Sequence, residues 1–546
     1  MKILAAQINP LVGDLAGNTH KVLSVLKRAQ KGGVDLVVFS ELALCGYPPE
    51  DLLLRQEFLE GVDSHLQRVV QASKELVVVV GTLRQNKEGK GLPLFNSAAI
   101  IQDRVLLGFQ DKCLLPNYNV FNERRYFEPG GPIAPWELFG KKVGILICED
   151  MWPHAGFKYS ADYDRDPVLE LKKYEIDLLL NLSASPYHFQ KPKERFAMCA
   201  KAAQSLKCPG VMCCQVGANS ELIFDGYSFA VDKKGEIKTL APGFKEADLL
   251  IDTDKEPCIL THQFDENEDL LNALTLGLKD YFSKNGFSKA CLGLSGGIDS
   301  ALVAYIAARA LGKDNVLAVM LPSKFSTKES FEDATQLISN LSIKKMNLSI
   351  KEPYGAFLEL LNPVFTKSSF DITEENIQAR IRSLILMALS NKEGHILLST
   401  SNKSELAIGY STLYGDASGA LAVIGDLLKS KVFSLCHYIN QKEGREVIPS
   451  SILTKPPSAE LRPNQKDTDS LPDYFILDRI LEEYIEQYLS IDEIALKHGF
   501  SRELVFDIVE KIYSAEYKRR QGPPVLRVSQ KAFGCGRRYP IVQGWC

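Results

Sequence analysis

The stretch Cys291-Leu-Gly-Leu-Ser-Gly-Gly-Ile-Asp-Ser300 constrains this chain more than any other. Its first half is small and apolar, as in a buried strand, and its second half is a serine- and glycine-rich turn. Residues 301–311 are alanine-rich and helix-forming. A strand that turns into a helix presents unpaired N–H groups and the positive end of a helix dipole, which together attract an anion. Gly296 and Gly297 remove Cβ atoms where the backbone must approach that anion. Ser295 and Ser300 add hydroxyl donors, whereas Asp299 would repel a bare phosphate and so implies a bridging Mg2+. The common phosphate loop, G-x-x-x-x-G-K-[ST], carries lysine where this chain has Asp299, so the stretch is a different device. The bland alternative is a tight strand–helix turn with no ligand.

Residues 295–300 resemble the pyrophosphate loop of ATP-pyrophosphatases, which adenylate an acceptor and release pyrophosphate. That resemblance implies ATP contacts at Gly293, Leu294, Ser295, Gly296, Gly297, Ile298, Asp299 and Ser300. It does not name the acceptor. With 546 residues, two large domains are expected. A net charge of −4 offers no basic field for nucleic acid. The 12 cysteines include no C-x-x-C pair, so neither a zinc ribbon nor a thioredoxin-type motif is signalled, and scattered thiols fit a reducing compartment. No targeting segment and no membrane-spanning apolar run is visible, so a cytoplasmic protein without membrane partners is expected.

The first half carries repeated strand-like runs, at residues 3–8, 36–39, 76–80, 98–101, 143–147 and 178–182, with helical stretches at 18–31 and 52–72. This predicts layered α/β architecture. Three runs end in a reactive residue: 34–40 at Glu41, 105–111 at Lys112 and 143–147 at Cys148. Brought together, a carboxylate could take the thiol proton and an ammonium could stabilise a developing oxyanion. Spacing alone leaves equally open three unrelated strand ends, one buried thiol and two solvated charges.

The flanking strings Ser40-Glu-Leu-Ala-Leu-Cys-Gly-Tyr-Pro-Pro-Glu-Asp51, Lys112-Cys-Leu-Leu-Pro-Asn-Tyr118 and Cys148-Glu-Asp-Met-Trp152 resemble the nitrilase superfamily. More narrowly, they resemble the amidase domain of glutamine-dependent NAD synthetases. The resemblance covers roughly the first 260 residues. It implies an α-β-β-α sandwich, with Glu41 as general base, Lys112 as catalytic lysine and Cys148 as nucleophile. It further implies that Tyr118, Ser185 and Lys191 hold glutamine and that Glu123 supports the lysine.

Near residues 251–269 the pattern turns charged and irregular, and a boundary at 262 is expected, giving domains 1–262 and 263–546. Beyond it, strands at 316–321 and 396–400 alternate with helices at 327–341 and 371–388. This predicts a doubly wound parallel sheet, Rossmann-like, with ligands beyond the carboxyl ends of its strands. The strings Ser399-Thr-Ser-Asn-Lys-Ser-Glu405, Tyr414-Gly-Asp416 and Lys455-Pro-Pro-Ser-Ala-Glu-Leu-Arg-Pro463 resemble the NAD synthetase domain. That resemblance implies Mg2+ at Asp299 and Glu405, ATP at Thr400, Lys429 and Ser458, and deamido-NAD at Asn376, Glu405 and Lys518. It departs at Leu413, where ammonia-only relatives carry lysine. The basic segment 518–546 reads as a tail, but Phe533, Tyr539 and Trp545 argue for docking, and Lys518 with Arg519 is expected to close over the phosphates.

Together the resemblances imply hydrolysis of L-glutamine to ammonia, adenylation of deamido-NAD by ATP, and amidation to NAD+ with loss of AMP. Ammonia has to travel as the unprotonated base, so a sheltered path is expected, as is a homo-oligomer. The alternatives are another pyrophosphate-loop amidotransferase, a tRNA-thiolating enzyme and a non-catalytic module. An asparagine synthetase would need cysteine at position 2, which is Lys2 here. A GMP synthetase would use a Cys-His-Glu amidase, and a thiolating enzyme would want a basic surface and paired cysteines.

Overall fold

A computed structural model describes residues 1–87, 89–156, 163–253, 263–365, 369–469 and 471–545. The chain divides into two compact units, Met1–Asp269 and Leu270–Cys546. The expected boundary at residue 262 lies outside the described residues.

The first unit holds two six-stranded sheets. One runs, in spatial order, Ala247–Asp252, Lys2–Gln7, Leu36–Phe39, Val77–Gln85, Leu94–Gln102 and Val105–Asp111. The other runs Ile237–Leu240, Phe229–Val231, Gly210–Cys214, Leu178–Ser183, Lys141–Ile147 and Trp136–Leu138. Strand alternation explains why the sheets stack. Ile3, Ala5, Val77 and Val79 pack in one core with Val143, Ile145, Leu178 and Leu180 of the other sheet. Their neighbours Leu4, Ala6, Val78 and Val80 point the other way, onto the helices Leu15–Lys31 and Gln56–Ala72. The second sheet is covered likewise by Pro167–Lys172 and Lys191–Leu206. The result is the α-β-β-α sandwich. Each fully buried Val or Leu in these layers stabilises it by about 1.5–3 kcal/mol.

The second unit is built on a five-stranded sheet ordered Lys344–Asn347, Val316–Met320, Ala290–Gly293, Ile396–Ser399, Leu421–Ala422. Every pairing in it is parallel. The chain starts in the middle, winds to one side and then to the other. The reversal opens a crevice beyond the carboxyl ends of Ala290–Gly293 and Ile396–Ser399. The helix Ile298–Leu311 starts earlier than its alanine-rich run suggests, so Ile298, Asp299 and Ser300 form its first turn. Helical geometry aims their N–H groups at the crevice.

The C-terminal segment is part of this unit. Asp426 accepts from Val528 N at 2.8 Å, Ser529 N at 2.6 Å and Ser529 Oγ at 2.8 Å. Buried Lys403 donates to Ser529 Oγ at 2.7 Å and Lys531 O at 3.0 Å. Phe533 is buried and Tyr539 packs on the same cluster, but Trp545 is 78% exposed, so two of the three aromatic residues dock.

Candidate active sites

In the first unit three strand ends converge. Lys112 follows Val105–Asp111, Glu41 follows Leu36–Phe39 shortly after Ser40, and Cys148 opens a short 3-10 turn directly after Lys141–Ile147. Lys112 Nζ donates to Glu41 Oε1 at 2.7 Å and to Glu123 Oε1 and Oε2 at 2.7 and 2.9 Å. All three side chains are buried. Glu41 is held on both oxygens, by Asn96 Nδ2 at 2.8 Å and by Ala184 N at 3.0 Å. Glu123 also accepts from Tyr47 OH at 2.9 Å. Burial works against the charge of Lys112, but Glu123 and Glu41 outweigh it and hold its pKa well above the ordinary value. The site therefore holds one cation between two carboxyl groups, and burial raises the pKa of Glu123 to about 7.

Cys148 sits at φ +43°, a left-handed conformation that a residue with a Cβ adopts only under constraint. The constraint is Asp150. Its carboxylate accepts from Ile147 N at 3.0 Å, Cys113 N at 2.9 Å and Leu114 N at 2.8 Å, pinning the turn to the segment after Lys112. Ser183 Oγ lies 3.5 Å from Cys148 Sγ. Burial pushes the thiol pKa well up; the charge of Glu41 adds to this and Lys112 opposes it. The resting sulfur is thus a thiol that needs a base to become nucleophilic.

Two of the three residues expected to hold glutamine, Tyr118 and Lys191, act on the buried Glu149 carboxylate. Tyr118 OH donates to its two oxygens at 3.0 and 3.1 Å, and Tyr163 OH to Oε1 at 3.2 Å. Lys191 acts on the same carboxylate by charge and stacks its ammonium over the Trp152 ring at 3.7 Å. Ser185 is buried, with its carbonyl accepting from Arg195 Nη1 at 3.4 Å. Burial raises the pKa of Glu149. A charged run directly after an apolar strand was the available signal: Cys148-Glu149-Asp150 cannot all be solvated where the strand ends inside the fold.

In the second unit the crevice is a cavity of about 310 Å3. The whole loop at 293–300 lines it, with Thr400, Glu405, Lys429 and Ser458. Gly296 has φ +82°, and a Cβ there would lie 2.2 Å from Ser330 O, so only glycine fits. Ser295 Oγ and Ser300 Oγ are 3.2 Å apart. Asp299 accepts from Asn402 Nδ2 at 3.0 Å and from Lys429 Nζ at 2.5 Å. The same ammonium is 3.2 Å from Glu405 Oε1. Two carboxylates thus share one cation, and burial raises the pKa of Glu405. This oxygen pair suits Mg2+, which takes one or two carboxylates and fills its shell with phosphates and water. Among the described residues no cluster of three or more acidic, His or Cys side chains could hold a metal unaided.

Three expected residues, Lys518, Arg519 and Asn376, are not among those lining this cavity. Lys518 Nζ donates to Gly409 O at 2.7 Å and Ser411 O at 2.9 Å, because a half-buried ammonium has to find acceptors. Arg519 is spent in the same way on Leu406 O, Ala407 O and Glu516. Neither closes over the loop. Asn376 accepts from Thr412 Oγ1 at 2.7 Å and is outside the lining.

Comparison with known proteins matches each unit to a family. The carbon-nitrogen hydrolase family model matches residues 2–256 and the NAD synthase model matches residues 270–522. A glutamine-dependent NAD(+) synthetase of a Synechocystis species is 43% identical over 100% of this chain and 99% of its own. That of Acinetobacter baylyi is 42% identical over 100% and 98%. The structure of the Acinetobacter baumannii glutamine-dependent NAD+ synthetase, in complex with adenosine diphosphate, is 38% identical. It covers 100% of this chain and 99% of that one with a TM-score of 0.77. With a carbon-nitrogen hydrolase unit and an NAD synthase unit in one chain, and full-length relatives far above 30% identity, the chain belongs to the glutamine-dependent NAD(+) synthetases.

Proposed function

We propose that Cys148 opens glutamine in the first unit and that the ammonia amidates adenylated deamido-NAD at the 293–300 loop in the second. The observation that carries this is the buried Lys112 ammonium bridging Glu41 and Glu123 beside a strained Cys148. Glu41 takes the thiol proton and Cys148 Sγ adds to the amide carbon. Lys112 faces the oxygen on which charge develops. Glu41 returns the proton to the departing nitrogen, and water releases glutamate from the thioester. Glu149, with Tyr118, Ser185 and Lys191, supports a pocket that orients the amino-acid end of glutamine.

In the second unit the deamido-NAD carboxylate displaces pyrophosphate from the α-phosphorus of ATP. Ammonia then adds to the acyl carbon, AMP leaves, and a proton is released. The loop N–H groups, Ser295 and Ser300 cradle the phosphates, with Thr400, Lys429 and Ser458 completing the ATP contacts. Asp299 and Glu405 would hold Mg2+, which neutralises phosphate charge when bound. Asn376, Glu405 and Lys518 remain the proposed deamido-NAD contacts; for Lys518 this requires release from Gly409 O and Ser411 O.

A cytoplasmic location is supported by the free thiols of all described cysteines. Among the described residues no helix is long and apolar enough to cross a membrane. A homo-oligomer is supported by exposed Leu360, Val364, Ile372 and Leu384 in the second unit. The test is NAD+ formation from deamido-NAD, ATP and Mg2+ with glutamine or ammonium, in wild type and Cys148→Ala. We expect wild type to use both donors and the variant only ammonium. Retained glutamine use by the variant would remove Cys148 as nucleophile.

A further inference from the structure

We propose that Arg382 and Lys455 form a second phosphate subsite, which receives the pyrophosphate that ATP loses at the loop. The proposal rests on the adenylating role assigned above to the second unit and adds a binding site for its first product.

Arg382 lies on the helix Ile372–Glu393, whose residues Ala379, Arg382, Ser383 and Leu386 line the cavity with the spacing of one helical face. Its Nε donates to Leu321 O at 3.1 Å. Among the described residues no carboxylate stands at ion-pair distance from it. Asp416 and Glu460 act on it only from further away, and burial pushes its pKa down to about 10. A guanidinium has five N–H donors, and one of these is used. A largely buried cation with no carboxylate at ion-pair distance among the described residues is unfavourable until a ligand supplies an anion.

The neighbouring wall carries the second cation. One turn before Arg382, Gln378 Nε2 donates to Leu461 O at 2.9 Å, so this helix face runs along residues 455–461. Lys455 lines the same cavity. Its ammonium rests on Ser330 Oγ and 3.5 Å from Glu460 Oε1. That carboxylate in turn accepts from Ser330 Oγ at 2.5 Å, Thr327 Oγ1 at 2.9 Å and Thr327 N at 3.1 Å. Glu460 thus fills a donor set of the kind a phosphate uses. The set abuts the loop, because the Ser330 carbonyl is the atom that a Gly296 side chain would strike. Pyrophosphate leaving the loop meets Arg382 unpaired and Lys455 held by one exchangeable carboxylate. Lys455 trades Glu460 for the phosphate.

The experiment titrates Mg2+-pyrophosphate into the full chain by isothermal calorimetry. It also measures pyrophosphate and AMP as inhibitors of ammonium-dependent NAD+ formation. Arg382→Met and Lys455→Met are each expected to bind pyrophosphate about tenfold more weakly, the effect of one lost charge-assisted hydrogen bond. Lys455→Arg should restore most of the affinity, and inhibition by AMP should change less than inhibition by pyrophosphate. Circular dichroism melts establish folding; Lys455 sits on a surface segment, so its variants carry the test if Arg382→Met does not fold. Pyrophosphate affinity within about twofold of wild type in the folded Met variants overturns the proposal. Loss of AMP inhibition alone also overturns it. A wild type that binds pyrophosphate but makes no NAD+ would sink the adenylation reading and leave the subsite standing.

Discussion

Replacing Gly296 by alanine adds one methyl group at the closest approach between the pyrophosphate loop and the helix Lys328–Leu341. The added Cβ would lie 2.2 Å from Ser330 O, 2.9 Å from Ser330 C and 3.0 Å from Ser330 Cα. All three are backbone atoms, so no side chain can swing aside. A carbon and a carbonyl oxygen meet at about 3.3 Å, so the loop has to retreat by about 1 Å. The φ of +82° adds about 1–2 kcal/mol for a residue with a Cβ. A reacting group displaced by about 1 Å costs on the order of 100-fold in rate. The assay is NAD+ formation with ammonium as donor, which isolates the second unit, with glutamine hydrolysis followed separately. Gly297→Ala supplies the contrast. Its Cβ would meet Ser295 Oγ at 3.2 Å, the end of a side chain that can rotate, and its φ is −91°. We expect about a 100-fold loss in kcat/KM for ATP at Gly296 and only a few-fold loss at Gly297. Equal losses, or a Gly296→Ala enzyme within about threefold of wild type, would refute the steric reasoning.

Lys112→Met should lower glutamine-dependent synthesis by about 100- to 1,000-fold, the usual cost of a lost oxyanion partner, while ammonium-dependent synthesis persists. It should also destabilise the first unit by about 3–5 kcal/mol, because Glu41 and Glu123 are left buried without their cation; an unchanged urea midpoint would count against that. Asp150 gives a pH signature. Burial lifts its pKa from 3.8 to about 7. The folded state therefore keeps a proton that the unfolded chain releases, and this contribution is full below pH 3.8 and lost as pH rises through about 7. Asp150→Asn should flatten the part of the Tm-versus-pH curve that falls between about pH 4 and pH 7. A slope identical to that of wild type would show that Asp150 titrates normally.

What could be read in advance divides by physical range. Glu41, Lys112 and Cys148 each follow a strand-like run, so strand length located them before any coordinates. The convergence of those three ends was not legible from spacing, since it depends on which strands neighbour which; family resemblance supplied it. The 293–300 loop was legible because its glycines, hydroxyls and flanking periodicity are local. The resting place of Lys518 was not legible, for the opposite reason. A basic residue near aromatic ones in a C-terminal segment has no local mark of where its ammonium ends, and here the carbonyls of Gly409 and Ser411 take it. Arg382 carries no local mark either, being one arginine within a helical stretch. Its meaning depends on there being no carboxylate at ion-pair distance among the described residues, which no sequence displays.

The grip of Lys403 and Asp426 on residues 528–531 has a consequence for synthesis on the ribosome. Every described strand of the first unit is made by residue 252, so its two sheets can close while the rest of the chain is still being made. The second unit cannot. Val525 bridges in parallel to Ala422, and the hydrogen bonds of Asp426 come from Val528 and Ser529, about a hundred residues further along the chain. Until then Lys403 and Asp426 are charged groups with half a partnership, two residues from Glu405 on one side and three from Lys429 on the other. A nascent chain thus carries a finished first unit well before the carboxylates and lysine of the second are locked in place. Translation that stops before Val525 would yield a chain folded in its first unit and unassembled in its second.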